Sequence, residues 1–291
     1  MIQEQDKSSS SIEIQKAAKS LNVSRSGYYK WKNRDEINLS KILEDIEIQF
    51  IIEDIVIEYS GYGYRRVTKE LWKRGYFINH KRVLRMMREQ NLLCKRKKYK
   101  PKTTDSNHSF RKYPNLIKDF RTTGPDQVWV SDITYIQLLE EYVYLAVILD
   151  LHTRRCIGWA LSKNVDTRLT MDALRHAFDT RNGKDLTGLI HHSDQGVQYA
   201  SNDYVECLLE HGILISMSSK GNAYENAFAE SFIKTLKCEE VYLNEYITFK
   251  DALENIARFI EDVYNKKRMH SSLGYKSPIE FEKEVTLNIC A

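Results

Sequence analysis

The stretch VWVSDITYIQLLEEYVYLAVILDLHTRRCIGWAL, residues 128–161, contains three apolar runs parted by short polar breaks. Residues 128–130 with 133–138 make the first run, 142–149 the second and 155–161 the third. Val, Ile, Tyr and Trp recur in them, side chains whose branching or flatness suits a pleated surface, so each reads as a strand. Downstream the pattern alternates. A polar loop over 162–168 leads into a helix over 169–178, a fourth strand over 186–191 precedes a helix over 202–211, and a fifth strand over 213–217 precedes a helix over 225–236. Three strands joined by short turns, then strands alternating with helices, predict an α/β fold in which a mixed sheet is covered by helices.

The whole chain, 291 residues, is long enough for one or two real cores without disulfides or structural metals. Its 42% apolar and 29% charged residues exclude a disordered tail. Cys94, Cys156, Cys207, Cys238 and Cys290 are odd in number and unclustered, so they suggest neither a disulfide framework nor a zinc knuckle and fit a reducing cytoplasm. The first 30 residues carry no apolar export signal and no run is long enough to span a bilayer, so a cytoplasmic, non-membrane protein is expected. The net charge of +4 hides an asymmetry: residues 61–118 hold 18 Lys and Arg against 3 acids, and residues 119–291 hold 18 against 26. Clustered cations neutralise phosphates and release counterions, so the middle of the chain reads as a nucleic-acid-binding module joined to a part with other work.

Before the sheet the chain reads as helical. Residues 11–34 suggest helix, turn, helix, with Ile14, Ala17, Ala18 and Leu21 on one face and Ser24 capping the second helix. Residues 39–59 are Ile-rich and predict a helix, Gly61 to Gly63 a turn, 66–74 a helix, and Asn79 the cap of a helix over 81–91. On that last helix Val83, Met86 and Met87 face a core, while Lys81, Arg85 and Arg88 share another face. These cations, with Lys95, Arg96, Lys97 and Lys98 of KRKKYKPK, would lie on a phosphate backbone and position DNA without reading its sequence. The expected division is an N-terminal arm over 1–50, a basic helical DNA-binding region over 51–105, a linker over 106–120 and a catalytic core with its C-terminal segment over 121–285.

Two acids interrupt apolar surroundings: Asp132 in WVSDITY and Asp194 in HHSDQGVQY, where the fourth strand ends. A carboxylate left unpaired there is costly to desolvate, so a compensating partner is expected. Glu230, in NAFAESFIKTLK, lies on a helix whose Phe228, Phe232 and Leu236 predict the buried face and whose Asn226, Glu230, Lys234 and Lys237 predict the polar one. A carboxylate beside two cations suits an acidic metal site next to a phosphate path, with Lys234 and Lys237 holding DNA. Three hard oxygen donors suit Mg2+ or Mn2+, and two such ions could activate an attacking hydroxyl and stabilise the leaving oxygen. Zinc is disfavoured: His191 and His192 are adjacent and project to opposite faces of a strand, one expected under the sheet and one near the site's rim. Bland roles compete, an Asp capping a turn or Glu230 pairing with Lys234. Asp126 and Asp150 are rival carboxylates, and periodicity does not choose among them.

At these residues the chain resembles the bacterial insertion-sequence transposases of the group numbered three, specifically their second-frame product. The likeness rests on WVSDITYI, HHSDQGVQYAS and NAFAESFIKTLKCE, on the 35 residues between Asp194 and Glu230, on YNKKRMHSSLGYKSPIEF downstream, and on SRSGYYKW, YGYRRVTKEL and NHKRVLRMMRE upstream. The resemblance implies a retroviral-integrase-like core of the ribonuclease H fold. It also implies Mg2+-dependent cleavage at transposon ends and strand transfer into target DNA, with Asp132, Asp194 and Glu230 as metal ligands and Asp126 and Asp150 outside the triad. Asp126 stands where the family more often has asparagine. The family further implies a first-frame partner or fusion that supplies a helix-turn-helix and coiled coil, and a homo-oligomer on DNA. No heptad zipper opens this chain, so it is expected to be the catalytic half.

The last segment, residues 264–281, is too polar for a buried strand, and 271–278 reads as a loop anchored by Tyr264, Leu273, Tyr275 and Phe281. Lys266, Lys267 and Arg268 are expected to extend the phosphate path. The rivals to a transposase are a ribonuclease H-like or resolvase-like nuclease, which leaves the basic region underused, and a non-catalytic DNA-binding regulator, which leaves the acids unused.

Overall fold

The computed structural model describes residues 16, 18–32, 34–93, 110–219 and 226–289. The chain before the sheet is helical: α1 (Arg25–Lys32), α2 (Arg34–Glu58), α3 (Tyr64–Lys73) and α4 (His80–Glu89). Polar side chains open two of them as expected, since Ser24 Oγ accepts the Gly27 N–H at 3.0 Å and Asn79 Oδ1 accepts the Lys81 N–H at 2.9 Å. Residues 11–15 and Ala17 of the first predicted helix lie outside the described residues, and Leu21, expected on its buried face, is exposed. β-branched content did not prevent α2 from forming, because Ile48, Ile52 and Ile55 recur at helical spacing and are buried with Val67, Leu71, Val83 and Met87. α2 runs continuously through residue 50, so the boundary expected between 50 and 51 falls inside one helix. Into this helical core inserts Met269, fully buried, from the far end of the chain.

The sheet contains β1 (Val128–Gln137), β2 (Tyr142–Asp150), β3 (Cys156–Ser162), β4 (Ile190–Ser193) and β5 (Leu214–Met217), in the order β3-β2-β1-β4-β5. β1, β2 and β3 pair antiparallel, while β4 and β5 join parallel to β1, which makes the predicted mixed sheet. The fourth strand starts at Ile190 and not at 186, because Gly188 takes a left-handed turn (φ 83°) that breaks extension. Between β3 and β4 lies α5 (Thr167–Thr180), capped by Asp166. It closes on β3 at Gly158, where a Cβ would stand 2.3 Å from the Ala173 carbonyl oxygen. A short α6 (Val197–Ala200) and α7 (Asn202–Glu210) precede β5. α8 (Ala227–Leu236) follows it, then α9 (Phe249–Arg258) and α10 (Pro278–Ile289).

Alternation along β1 sorts the two layers. Val128, Val130 and Ile136 pack with Ala229, Phe232 and Leu236 of α8, whereas Trp129 packs with Leu169, Ala173 and Ala177 of α5. α8 continues into a π-helical turn, Lys237–Val241, and α9 into another, Phe259–Tyr264. After these, Asn265 is buried and not solvated, as polarity had suggested: its side-chain amide accepts the Cys156 N–H at 3.0 Å and donates to the Cys156 carbonyl at 2.9 Å. Residues 271–278 turn through Gly274 and Tyr275, both left-handed, and Tyr264 and Leu273 are buried as anchors.

Candidate active site

Asp132 belongs to the alternating row of β1 that faces α8, and is half-buried. Parallel pairing of β1 with β4 ends at Val130↔His192, and the same register carried two residues further sets Asp132 opposite Asp194, the first residue beyond β4. There Asp194 Oδ1 accepts the Gly196 N–H at 2.9 Å, and a Cβ on residue 196 would lie 2.9 Å from that same oxygen, so a larger residue there would push the carboxylate aside. Glu230 sits in the first turn of α8, where the helix dipole favours a carboxylate. Asn226 ties that helix end to β1 by donating to the Ser131 carbonyl at 2.9 Å.

The charges of these acids act on one another. Burial, then the Asp194 carboxylate, push the Asp132 carboxyl up to about 8; Glu230 adds to the rise, and the Ile133 N–H and Lys237 oppose it. Burial also raises Glu230. Lys237, one residue past α8, is lowered by burial and drawn back up by Asp132. None of the three acids makes an ion pair with a described cation. Nor, among the described residues, do three or more His, Cys, Asp or Glu stand close enough together to hold a metal ion.

The rival carboxylates are otherwise engaged. Asp150 is fully buried and accepts the Thr153 N–H at 2.7 Å, the Thr153 hydroxyl at 2.8 Å and the Asp126 N–H at 2.6 Å, closing the β2–β3 turn. Asp126 is gripped by Arg181 at 2.7 Å and Lys184 at 2.6 Å; burial raises its carboxyl, but these cations outweigh it and the net shift is downward. Both histidines are interior, so neither is on the rim. The Tyr204 hydroxyl lies 3.0 Å from His191 Nε2, and His192 Nδ1 is 2.8 Å from Ser216 Oγ. Burial, with His192 beside it, holds His191 down at about 3, so it is neutral.

Lys81, Arg85 and Arg88 share an exposed face of α4, although Arg85 is engaged by Asp45 at 3.3 Å and Glu89 at 3.8 Å. Lys95 to Lys98 lie outside the described residues. Lys234 is exposed, Lys266 is exposed and bonded to Asp262 at 2.8 Å, and Lys267 is exposed. Arg268 is not: only 4% of it meets solvent, and it donates from Nε and Nη2 to the two Glu239 oxygens at 2.7 Å each, so it cannot join a phosphate path. Phe228 also departs from expectation, being exposed with the Arg154 guanidinium 3.7 Å over its ring, and Ala229 takes its place on the buried face of α8. Residues that periodicity did not single out include Tyr135, whose ring lies 4.3 Å beneath Lys237 Nζ, and Glu239.

Residues 122–223 and 211–278 each match an integrase core domain, and residues 43–100 an HTH-like domain. The transposase of insertion sequence element IS904 from Lactococcus lactis is 42% identical over 78% of this chain and 89% of its own length. Transposase InsF of insertion sequence IS3A from Escherichia coli is 35% identical over 96% of this chain and 97% of its own length. This chain belongs to the IS3-family transposases. A solved structure of the HTLV-2 integrase catalytic core domain in complex with magnesium aligns with the transposase at a TM-score of 0.43 and 15% identity, over 56% of this chain and 99% of that one. The transposase is a polynucleotidyl transferase of the DNA strand-cleaving and strand-transferring kind, and its family implies dependence on a divalent cation. No helix among the described residues is long and apolar enough to cross a membrane.

Asp132 makes a stability prediction that needs no substrate. Its folded-state value of about 8 lies above the roughly 3.9 of an unfolded Asp, so between those limits the native state holds a proton the unfolded chain has lost. Native stability from this group is therefore full below pH 4 and lost as pH rises toward 8. With EDTA present, Asp132→Asn should melt close to wild type at pH 5 and higher at pH 8, by about 2–4 °C for about 1 kcal/mol after discounting for solvent screening. A gap that stays flat or reverses with pH contradicts the repulsion described above.

Proposed function

We propose that Asp132, Asp194 and Glu230 together hold the divalent ions, two Mg2+ or Mn2+, with which this transposase cuts transposon ends and joins them to target DNA. The observation that supports the reading is the placement of acids without ion pairs: Asp132 is pushed upward by burial first and then by Asp194 and Glu230, while Asp126 and Asp150 are engaged elsewhere. A cation is the counter-charge such a group of hard oxygens lacks. Bound there, the ions would activate the attacking hydroxyl and stabilise the leaving 3′-oxygen. The chain's own residues do the rest. Asp132 would hold the ions as its carboxylate, Asn226 fixes the start of α8 against β1, and Lys237 and Lys234 would receive phosphate beside the acids.

The helical unit before the sheet serves as the DNA-holding part and residues 121–285 as the catalytic part, with a first-frame helix-turn-helix and coiled-coil protein completing end recognition and a homo-oligomer forming on DNA. Lys81 and Arg88 contact phosphates, as do Lys95 to Lys98, Lys266 and Lys267. Replacing Lys81 or Arg88 by Ala should weaken binding to all duplexes alike and flatten the dependence of log Kobs on log salt by about one unit per contact. Arg85→Ala should change it less, because Asp45 and Glu89 already engage that side chain. Loss of sequence discrimination at unchanged nonspecific affinity would make these side chains base readers instead.

The deciding experiment incubates an end-labelled duplex carrying a transposon terminus, a second DNA and the protein with Mg2+, Mn2+ or EDTA. Nicking and covalent joining of the 3′-hydroxyl end, both absent in EDTA, is the expected result. Nicking without joining would make the protein a nuclease, and binding without nicking a regulator.

A further inference from the structure

Lys237 is half-buried, lies close enough to Asp132 for the two charges to act on each other, and has no ion pair within 4.0 Å among the described residues. A desolvated ammonium with no carboxylate to hold it swings through many rotamers unless something else fixes it. What lies against it is an aromatic face: Nζ stands 4.3 Å from the centroid of the Tyr135 ring. Tyr135 is three residues beyond Asp132 on the same strand, past the end of the β1–β4 pairing. Its own ring is braced edge-on by Tyr142 across the β1–β2 hairpin, with centroids 5.8 Å apart and planes at 72°. The lysine itself begins the π-helical turn that follows α8.

From this arrangement we infer that Tyr135 is a positioning residue for strand transfer: the negative face of its ring holds the Lys237 ammonium in one place, ready for the phosphate next to the scissile bond. The inference rests on the proposed triad, because it gives Lys237 its work beside Asp132. The ring is suited to the task because a cation–π contact orients the ammonium without neutralising it, whereas a carboxylate partner would compete with the phosphate. The aromatic face, and not the hydroxyl, is the part that acts, so Tyr135→Phe should keep cleavage and joining within about threefold of wild type. Tyr135→Leu should lose on the order of tenfold in turnover with DNA affinity changed less than about threefold, the loss falling in kcat and not in KM.

A structural role for the ring is separated by changing its electronics at nearly constant shape. Phe at position 135, then its mono-, di- and trifluorinated forms installed by nonsense suppression, carry a progressively weaker negative face. Joining rates should fall in step with fluorination while the melting temperature stays level, and in a Lys237→Met background the series should be flat. Rates independent of fluorination, or an equal decline in the Lys237→Met background, would overturn the inference. The triad is tested separately by amide variants of its acids: if those are inactive and the fluorinated series is flat, only the role of Tyr135 fails, and if those remain active, the triad reading fails first.

Discussion

Converting Asp132 or Asp194 to Asn, or Glu230 to Gln, should lower cleavage and joining by on the order of 10^3-fold or more and leave duplex affinity nearly unchanged. The reason is differential: each amide removes a hard anionic oxygen from the place where charge develops in the reaction, but no cation that touches DNA in the ground state. On the proposal that the three carboxylates hold one group of ions, their losses should not add, and a double variant should be about as inactive as the worst single one. Asp126→Asn and Asp150→Asn are the controls. Asp150 accepts three hydrogen bonds in the β2–β3 turn and Asp126 pairs with Arg181 and Lys184, so these variants should lower the melting temperature and spare the turnover of the folded fraction. Substantial turnover in any triad amide, measured with the labelled-duplex assay, rules that residue out as a ligand.

The largest stability effect is expected at Glu239. Its carboxylate takes both guanidinium nitrogens of Arg268 at 2.7 Å, and Arg66 approaches at 3.6 Å. Burial lowers the Arg268 guanidinium, but Glu239 outweighs it and holds the charge in place. Glu239→Ala strands that buried cation, a loss of about 3–5 kcal/mol that should appear as a fall in melting temperature of roughly 10 °C. Replacing both partners with apolar residues of similar size, Glu239→Leu with Arg268→Met, should recover most of the loss, since neither desolvated charge remains. If Glu239→Ala costs less than about 1 kcal/mol, the pair is solvated in solution and Arg268 is free to meet phosphate after all.

Apolar runs rich in branched and aromatic residues made the first three strands and their order in the chain readable, and an acid amid Val, Trp and Ile drew attention to Asp132. Local pattern was less reliable where a single backbone feature intervened. Gly188 delayed the fourth strand because its left-handed turn is invisible to hydropathy, whereas the helix read over 39–59 formed and runs across the division expected at residue 50. Phe228 illustrates a different limit. A repeat of four residues correctly found Phe232 and Leu236 but cannot say which neighbour completes the face, and the smaller Ala229 lets α8 approach the sheet. Arg268 was unreadable in principle, since its burial depends on Glu239, which lies 29 positions earlier. The choice between Asp132 and its rivals had the same character: only the partners of Asp126 and Asp150 show why those two are occupied.

Met269 lies with no exposed surface among the side chains of the N-terminal helices, and its N–H bonds the Tyr62 hydroxyl at 2.8 Å. The helical unit therefore takes one of its own core residues from a segment more than 170 positions further along the sequence, and the two are stabilised together. Removing that side chain should accordingly be felt at both ends of the sequence, since a cavity at residue 269 opens in the core of the helical unit and not in the sheet.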